Sequence, residues 1–261
     1  MIQQATPPVA DVIHLDPGIY RDMPDADYRR VCAISKSDLD KWADPTRDIN
    51  PRNALMGTVF HAAILEPDIA REKVLVFSET RRGTKAWDAC VDENPDKWII
   101  TPGEFDTIKG TVEAVKGHPE ASRVRQHAID NPTGTELVLV WRDESSGVLC
   151  KCKVDDVTPK AMIDWKTTGM YDSEKSSEAI ATYGYDAQEA HYSAGHLACF
   201  GEVKPFAFIF ASKRKDKGHP VWVHRATEAE MLSGQRTMKQ LLALFARYNP
   251  DHPAVLNPGK E

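Results

Sequence analysis

The chain has 261 residues, a formal net charge of -6, 41% hydrophobic residues and 28% charged residues. This composition is that of a globular protein with one elaborated domain or two small ones. The sequence has no apolar run of the roughly 18 residues that a membrane span needs, and its N-terminus does not resemble a signal peptide, so we expect a cytoplasmic protein without a membrane partner. Because the overall charge repels a polyanion, any nucleic acid must bind through local basic patches.

Cysteine usage argues against a structural metal site. The chain has five cysteines and no CxxC pair, so a zinc site held by cysteines is not expected. The cysteines are Cys32, Cys90, Cys150, Cys152 and Cys199. We expect all five to be buried and reduced and to have no function.

The first third of the chain predicts helices after a loosely structured start. Residues 1–30 are expected to be a mobile or partly ordered lead-in. Ser35 or Ser37 can cap a helix that ends at Asp44-Pro45. Residues 53–65 give a helix with one apolar stripe and with His61 near that stripe. This histidine is either a satisfied core residue or a metal ligand, and its own helix does not decide between the two.

Residues 70–134 predict short strands at 74–77 and 98–100 and helices around Trp87, from 101 to 117 and from 120 to 129. A basic loop lies among them. Three positive charges within five residues can hold phosphate, although a solvated surface loop has the same composition. The cations of this loop are Arg81, Arg82 and Lys85.

Residues 136–167 predict three consecutive antiparallel strands, and these carry the most unusual grouping of charges. Asp164 and Lys166 alternate on one strand and therefore point to the same face. A hairpin brings Asp155 beside them, and Glu136 lies at the edge of the first strand. Carboxylates of this kind suit Mg²⁺ or Mn²⁺, and a neighbouring lysine suits metal-assisted hydrolysis.

The last third predicts a helix over 184–199, a strand hairpin over 204–224 and a final helix. Gln188 shares a helical face with Tyr185 and Tyr192, which is either a buried hydrogen-bonding face or the edge of a substrate site. Thr227, with an acidic residue three positions later, begins the final helix. Residues 250–261 are expected to be a tail. The order of the elements predicts an α/β or α+β fold with a mixed central sheet.

Several motifs together resemble one nuclease family. Asp155, eight residues and then Asp164-Trp165-Lys166 are similar to the PD-(D/E)xK nuclease core. A GTxxHxxxLEP pattern surrounds His61, a QxxxY pair occupies 188–192, and ISKS occupies 34–37. From about residue 34 to 245 the chain resembles the exonuclease VIII (RecE-type) C-terminal nuclease, which is related in its core to the RecB and lambda exonuclease nuclease domains. The chain departs from this family at 153–155, where Lys-Val-Asp replaces a frequent Arg-Pro-Asp.

The resemblance implies a single restriction-endonuclease-like domain over 31–249 and a role for each matched residue. Asp155 and Asp164 are implied to hold Mg²⁺, for which Mn²⁺ can substitute, with His61 as a further ligand. Lys166 is implied to position or deprotonate the attacking water. The remaining implied residues are the Trp165 backbone carbonyl and Glu136 as additional metal ligands, and Gln188 and Tyr192 as contacts to the DNA.

The implied activity is a Mg²⁺-dependent exodeoxyribonuclease on linear duplex ends. By resemblance it acts 5′ to 3′, leaves a 3′ overhang for a RecT-type annealing protein and forms a homo-oligomeric ring, a trimer or tetramer. Expected DNA contacts are Arg81, Arg82, Lys85, Tyr185, Gln188, Lys213, Arg214 and Lys215. The alternatives are a non-catalytic DNA-binding scaffold of the same fold and an iron–sulfur nuclease. The latter needs four clustered cysteines, which the spacing does not favour.

Overall fold

A six-stranded mixed sheet forms the centre of the protein in the computed structural model, which describes residues 12–47, 50–78 and 81–255. Its strand order is β1-β4-β5-β6-β7-β8, and a separate pair, β2 and β3, is parallel. The strands are β1 Gly18–Tyr20, β2 Val74–Val76, β3 Trp98–Ile100, β4 Thr135–Arg142, β5 Leu149–Val157, β6 Met162–Thr168, β7 Phe206–Ser212 and β8 Val221–Arg225. Neighbouring strands of the large sheet are antiparallel except β6 and β7, which are parallel. The mixed sheet and the three-strand meander are as predicted.

Helices cover the sheet, and their ends follow the predicted capping residues. Ser35, Thr101 and Thr227 each accept a hydrogen bond from the third helical residue in a complete capping box, which satisfies otherwise unpaired backbone groups. The helices are α1 Asp25–Arg30, α2 Lys36–Ala43, α3 Pro51–Leu65, α4 Pro67–Lys73, α5 Lys85–Glu93, α6 Pro102–Gly117, α7 Pro119–Asp130, α8 Ser176–Tyr183, α9 Tyr185–Phe200 and α10 Glu228–Tyr248. In the described part of the chain, no helix combines the length and apolar character needed to cross a membrane.

Two apolar cores lie on the two faces of the sheet. On β6, Ile163 and Trp165 join a core with residues of α3, α6 and α7, whereas Met162 joins the core that includes α9 and α10. Since strand residues alternate between faces, Asp164 and Lys166 lie on the same side as Met162. The buried tryptophan therefore fixes which way the two charged side chains point.

The sheet is weakly joined at its middle. The described strands β5 and β6 pair only at Asp156–Ile163 and Val157–Met162, next to their connecting turn. By contrast, β4 pairs with β5, and β6 with β7, along most of their lengths. The two halves of the sheet consequently separate at Asp155, and the charged side chains lie at that separation.

Four of these helices and strands, β1, α1, α4 and α8, were not predicted from the sequence. Residues 18–20 and 25–30, assigned to the lead-in, form β1 and α1, and β1 extends the central sheet beside β4. Residues 176–183, interpreted as a polar connection, form α8. Near the C-terminus, Ala254 is fully buried and its carbonyl accepts a hydrogen bond from Leu149, so part of the expected tail packs on the domain. Residues 1–11 and 256–261 lie outside the described residues.

The packing of α10 on α9 gives a prediction about stability. A Cβ at Gly234 would lie 2.0 Å from the backbone oxygen of Asp186, so Gly234→Ala must push the helices apart. We expect a loss of about 1–3 kcal/mol in the free energy of unfolding, as is typical of overpacking. Urea denaturation would measure it.

The matched control is Gly57→Ala in α3, where a Cβ meets no described atom within 4 Å. Alanine at an open helical position should stabilise the protein by up to about 1 kcal/mol. Equal effects of the two substitutions on unfolding would contradict the close approach of α9 and α10.

Candidate active site

Asp155 lies where β5 and β6 separate, and its side chain accepts a hydrogen bond that a backbone carbonyl would accept in a continuous sheet. Its carboxylate accepts a hydrogen bond of 2.7 Å from the backbone N–H of Trp165. The residue is 8% exposed. Its position on a central strand and its bond to the neighbouring strand therefore fix Asp155 relative to β6.

Three carboxylates lie in one row across the sheet. Continuing the observed register places Glu136 opposite Asp155 between β4 and β5, and Asp155 opposite Asp164 between β5 and β6. Like charges placed directly opposite each other destabilise a sheet unless another group compensates them. The mutual repulsion of the three carboxylates in this row therefore lowers the stability of the fold.

Asp164 is almost fully buried and is held by two side chains. Lys166 Nζ lies 2.5 Å from Oδ2, and Gln188 Nε2 donates to Oδ1 at 2.5 Å. The lysine comes from the same strand and the glutamine from α9, which crosses this end of the sheet. The predicted grouping of Asp155, Asp164, Lys166 and Gln188 is thus present in three dimensions.

His61 reaches the same centre from α3. Its Nδ1 lies 3.5 Å from Asp155 Oδ2, and one ligand atom from each of His61, Glu136 and Asp155 lies within 4.8 Å of the others. The His61 side chain is 28% exposed rather than enclosed, so it is not a core histidine, and its role as a metal ligand stays a prediction. Asp164 is not part of this three-residue group.

Glu136 has an unusual backbone and an unexpected partner. Its φ is 51°, in the left-handed region that non-glycine residues seldom adopt. Lys153 Nζ lies 2.6 Å from Glu136 and 2.6 Å from Asp25 of α1. Lys153 was noted from the sequence only as part of the departure from the family pattern at 153–155. Its spacing of two residues from Asp155 on the same strand could have suggested that it lies near the carboxylates.

Burial makes the electrostatics of this centre unfavourable without a cation. Burial raises the pKa of Asp155 to about 7, with further raising by Asp164 and Glu136 and partial compensation by His61 and Lys166. Although burial opposes its charge, the carboxylates of Asp164 and Asp155 raise the pKa of Lys166, so it is an ammonium group. A set of carboxylate oxygens and one imidazole nitrogen fits a divalent cation, which would offset this charge.

The predicted aromatic residues line the approach to Asp164. Tyr185 lies beneath Lys166, whose Nζ is 5.0 Å from the ring centroid. Tyr192 packs its ring edge on Phe206, and burial raises the pKa of its phenol well above the ordinary value. Trp165 is fully buried; the metal role of its backbone carbonyl stays a prediction.

The predicted basic contacts are of two kinds. Arg82 binds the buried carboxylate of Glu104 at 2.7 Å and lies over the ring of Trp87, so it has a structural role. Arg81 and Lys85 of the same loop are exposed.

The β7–β8 loop carries the other predicted contacts. In this loop, Arg214 pairs with Asp216 at 2.8 Å and lies near Tyr171. The loop's exposed cations remain predicted DNA contacts.

Two clefts flank the carboxylate row. One, of about 850 Å³, contains His61, Glu136, Lys153 and Asp155. The other, of about 500 Å³, contains Gln188 with Tyr185 and Tyr192. The second cleft meets the row through Gln188, which donates a hydrogen bond to Asp164.

Comparison with known proteins identifies the fold. Residues 32–249 match the model of a family described as a PDDEXK-like domain of unknown function (DUF3799). The chain belongs to this family. A solved structure provisionally named an exonuclease, from Eubacterium rectale, is similar to it with a TM-score of 0.55 and 14% sequence identity. The similarity covers 82% of this chain and 74% of that one. No curated protein matches the sequence.

The match confirms the predicted PD-(D/E)xK fold and its mixed sheet flanked by helices. Within this PDDEXK-like domain, the aspartate–aspartate–lysine set occupies the described separation between β5 and β6. All five cysteines are free thiols, and three of them are buried as expected, whereas Cys90 and Cys199 are only half-buried. Among the described residues, the only group with the geometry of a metal site contains no cysteine.

Asp156, the neighbour of the row, gives a prediction about pH. It is fully buried, neither oxygen accepts a hydrogen bond from a described residue, and burial raises its pKa to about 7. Since an unfolded aspartate titrates near about 4, the folded state retains a proton that the unfolded state loses. The contribution of Asp156 to stability is therefore complete below about pH 4 and is lost as the pH rises through about 7.

Asp156→Asn should remove this loss. In EDTA, we expect the variant to unfold with a free energy on the order of 1–3 kcal/mol above that of the wild type at pH 8, with a flatter profile from pH 4 to 7. Urea denaturation across this range would measure it. Asp88→Asn, an exposed site with the same charge change, is the control. An unchanged profile for Asp156→Asn would contradict the pKa of Asp156.

Proposed function

We propose that this PDDEXK-like domain is a Mg²⁺-dependent exodeoxyribonuclease that acts on linear duplex DNA. The observation that carries this proposal is the convergence of separate elements on one row. His61 from α3 meets Asp155 and Glu136, while Lys166 and Gln188 hold Asp164. A protein that only bound DNA would gain nothing from burying this set at the cost described above.

The residues present fit one or two divalent cations of the Mg²⁺ type. Asp155, Asp164 and Glu136 supply the hard oxygen ligands that Mg²⁺ and Mn²⁺ prefer, and His61 and the carbonyl of Trp165 complete the set. When bound, such a cation acidifies water and neutralises the negative charge that develops on phosphate during hydrolysis. Burial is the main cause of the raised pKa of Asp155, and a neighbouring cation would offset the cost that burial imposes on its charge.

The chain's own groups then orient the substrate. We assign Lys166 to contact a nonbridging phosphate oxygen and to hold the attacking water, because its neighbours favour the charged ammonium. Gln188 fixes the rotamer of Asp164 by its hydrogen bond, and Tyr192, on the same face of α9, borders the scissile position.

The finer properties rest on the resemblance to RecE-type nucleases. We propose digestion from 5′ ends, a 3′ overhang passed to a RecT-type annealing protein, and a homo-oligomeric ring of three or four chains. The fold similarity to a protein named an exonuclease is consistent with attack at ends. Further phosphates along the duplex are assigned to Arg81 and Lys85 and to the loop that carries Lys213 and Lys215.

Digestion of end-labelled duplexes tests this function. With Mg²⁺, linear duplex labelled separately at each 5′ and 3′ end should lose the 5′ label first, and EDTA should stop the reaction. Asp164→Ala and Lys166→Ala should each lower the rate by at least about a hundredfold, since both act on the developing charge. Circular duplex should remain intact.

Asp106→Ala, a substitution on α6 outside the described row, is the matched control and should cut at the wild-type rate. Full Mg²⁺-dependent activity in both Asp164→Ala and Lys166→Ala would show that the site is assigned wrongly. Binding to DNA ends without hydrolysis in Mg²⁺ or Mn²⁺ would instead favour the scaffold alternative.

Metal binding should release protons. Because the pKa of Asp155 is about 7, part of the population is protonated at neutral pH and must lose its proton to a cation. Calorimetric titration of Mg²⁺ or Mn²⁺ at pH 6.5, in buffers of different ionisation enthalpy, should show net proton release. His61→Ala should weaken binding by about tenfold or more, the equivalent of about 1.4 kcal/mol, whereas His14→Ala, at an exposed histidine, should not. Metal binding equal to the wild type in both histidine variants would contradict His61 as a ligand.

A further inference from the structure

The cleft on the Gln188 side of the row has a composition that the proposed mechanism does not explain. Its walls come from α2, the segment after α2, and the junction of α8 and α9. Three cations line it, Lys36, Lys41 and Arg47, against a single acidic residue, Asp40. In a chain of net charge -6, this local excess of positive charge indicates an anionic ligand.

The opposite cleft has the reverse charge. Five acidic residues and two lysines line the cleft on the His61 side. A nucleic-acid strand would be repelled there, except at the cation itself. Because the two clefts differ in charge, we expect the nucleic-acid strand in the cleft on the Gln188 side and the metal ion in the acidic cleft on the His61 side.

Asp40 aligns two of the three cations and offsets one positive charge, so the cleft keeps a net positive charge. Asp40 lies 2.6 Å from Lys36 Nζ and 2.7 Å from an Arg47 nitrogen, so one carboxylate aligns two cations. Gly184 permits this arrangement, since a Cβ there would lie 3.0 Å from Lys36 Nζ. Burial lowers the pKa of Lys36, and repulsion from Arg47 and Lys166 lowers it further, while Asp40 opposes the change. An anion between these cations would relieve that repulsion.

The cleft also offers an aromatic surface. Tyr183 is 51% exposed, and its ring centroid lies 5.6 Å from that of Tyr185 at an interplanar angle of 33°. Tyr185 in turn lies beneath Lys166, next to Asp164. Exposed tyrosines beside cations are the usual means of holding single-stranded nucleic acid, because every base can stack on them.

We propose that this cleft binds a nucleotide of the strand being cut, adjacent to the scissile phosphate. The phosphate of that nucleotide lies among Lys36, Lys41 and Arg47, and its base stacks on Tyr183. This inference rests on the proposed nuclease function and adds the subsite that fixes the strand beside Asp164. Stacking on tyrosine and contact with phosphate predict binding without base preference.

Binding of a short oligonucleotide tests the cationic wall. The probe is a hexathymidylate with a 3′ fluorescent label, titrated with the full chain in EDTA and followed by anisotropy. Lys41→Ala with Arg47→Ala should weaken binding by about tenfold or more, and should reduce the salt dependence by about 0.7 in log–log slope for each phosphate that the variant no longer neutralises. Lys109→Ala with Lys116→Ala, which removes two charges beside a different cavity, should do neither.

Substitutions of Tyr183 test the stacking contact separately from the cations. Tyr183→Leu should weaken binding by about tenfold without changing the salt slope, and Tyr183→Phe should retain wild-type affinity, because only the ring is needed. Tyr248→Leu, an exposed tyrosine on α10, is the matched control. The proposal would be overturned if each test variant bound the oligonucleotide as tightly as its control. The test variants are Tyr183→Leu and the Lys41/Arg47 double variant, and their controls are Tyr248→Leu and the Lys109/Lys116 double variant.

Two further arms identify the phosphate and separate this inference from the nuclease assignment. Tighter binding of a 5′-phosphorylated than of a 5′-hydroxyl hexathymidylate, abolished in the Lys41/Arg47 variant, would assign the cleft to a terminal phosphate; equal binding would assign it to an internal phosphodiester. If duplex DNA is never cut but these variants still lose affinity, the cleft stands and the nuclease function fails. If the wild type cuts DNA and the cleft variants bind and cut equally well, this inference alone fails.

Discussion

The hydrogen bond from the backbone N–H of Trp165 to the Asp155 carboxylate connects the two halves of the central sheet. Pairing between β5 and β6 ends two residues from their turn, and beyond that point a side chain accepts the bond that a strand backbone would otherwise accept. The substitution satisfies a buried donor, which is costly to leave unpaired. It also opens a space at the separation, into which Asp164 and Lys166 project because Trp165 occupies the opposite face. The geometry of the site thus follows from the point at which the backbone pairing of β5 with β6 ends.

Electrostatic cost and its compensation explain most of the surroundings. A row of three carboxylates across neighbouring strands is unstable by itself. Lys166 and Gln188 hold Asp164, Lys153 holds Glu136, and within this described row Asp155 alone lacks a close permanent cation. Asp155 is therefore the carboxylate of the row whose charge the domain compensates least. The basic and acidic clefts extend this division outward, so the two sides of the row differ in charge.

Much of this could be predicted from the sequence, and the rest depended on distant contacts. Alternation along β6 predicts the common face of Asp164 and Lys166, and helical spacing predicts the shared face of Gln188 and Tyr192. The convergence of His61 could be suggested only by family resemblance, because its own helix favours a core histidine. The ion pair of Arg82 with a glutamate 22 positions away could not be predicted from local patterns. Helix α8 was missed because it lies in a connection with several Ser and Glu residues that resembles a loop, whereas tertiary packing buries one side of it.

The left-handed backbone at Glu136 sets the conformational cost of this position. A glycine would adopt φ of 51° without strain, whereas glutamate holds this conformation at a cost. The ion pair with Lys153, at 2.6 Å, offsets part of that cost. Glu136→Gly would therefore relieve the backbone strain and remove the ion pair at the same time, so its two effects on the free energy of unfolding oppose each other.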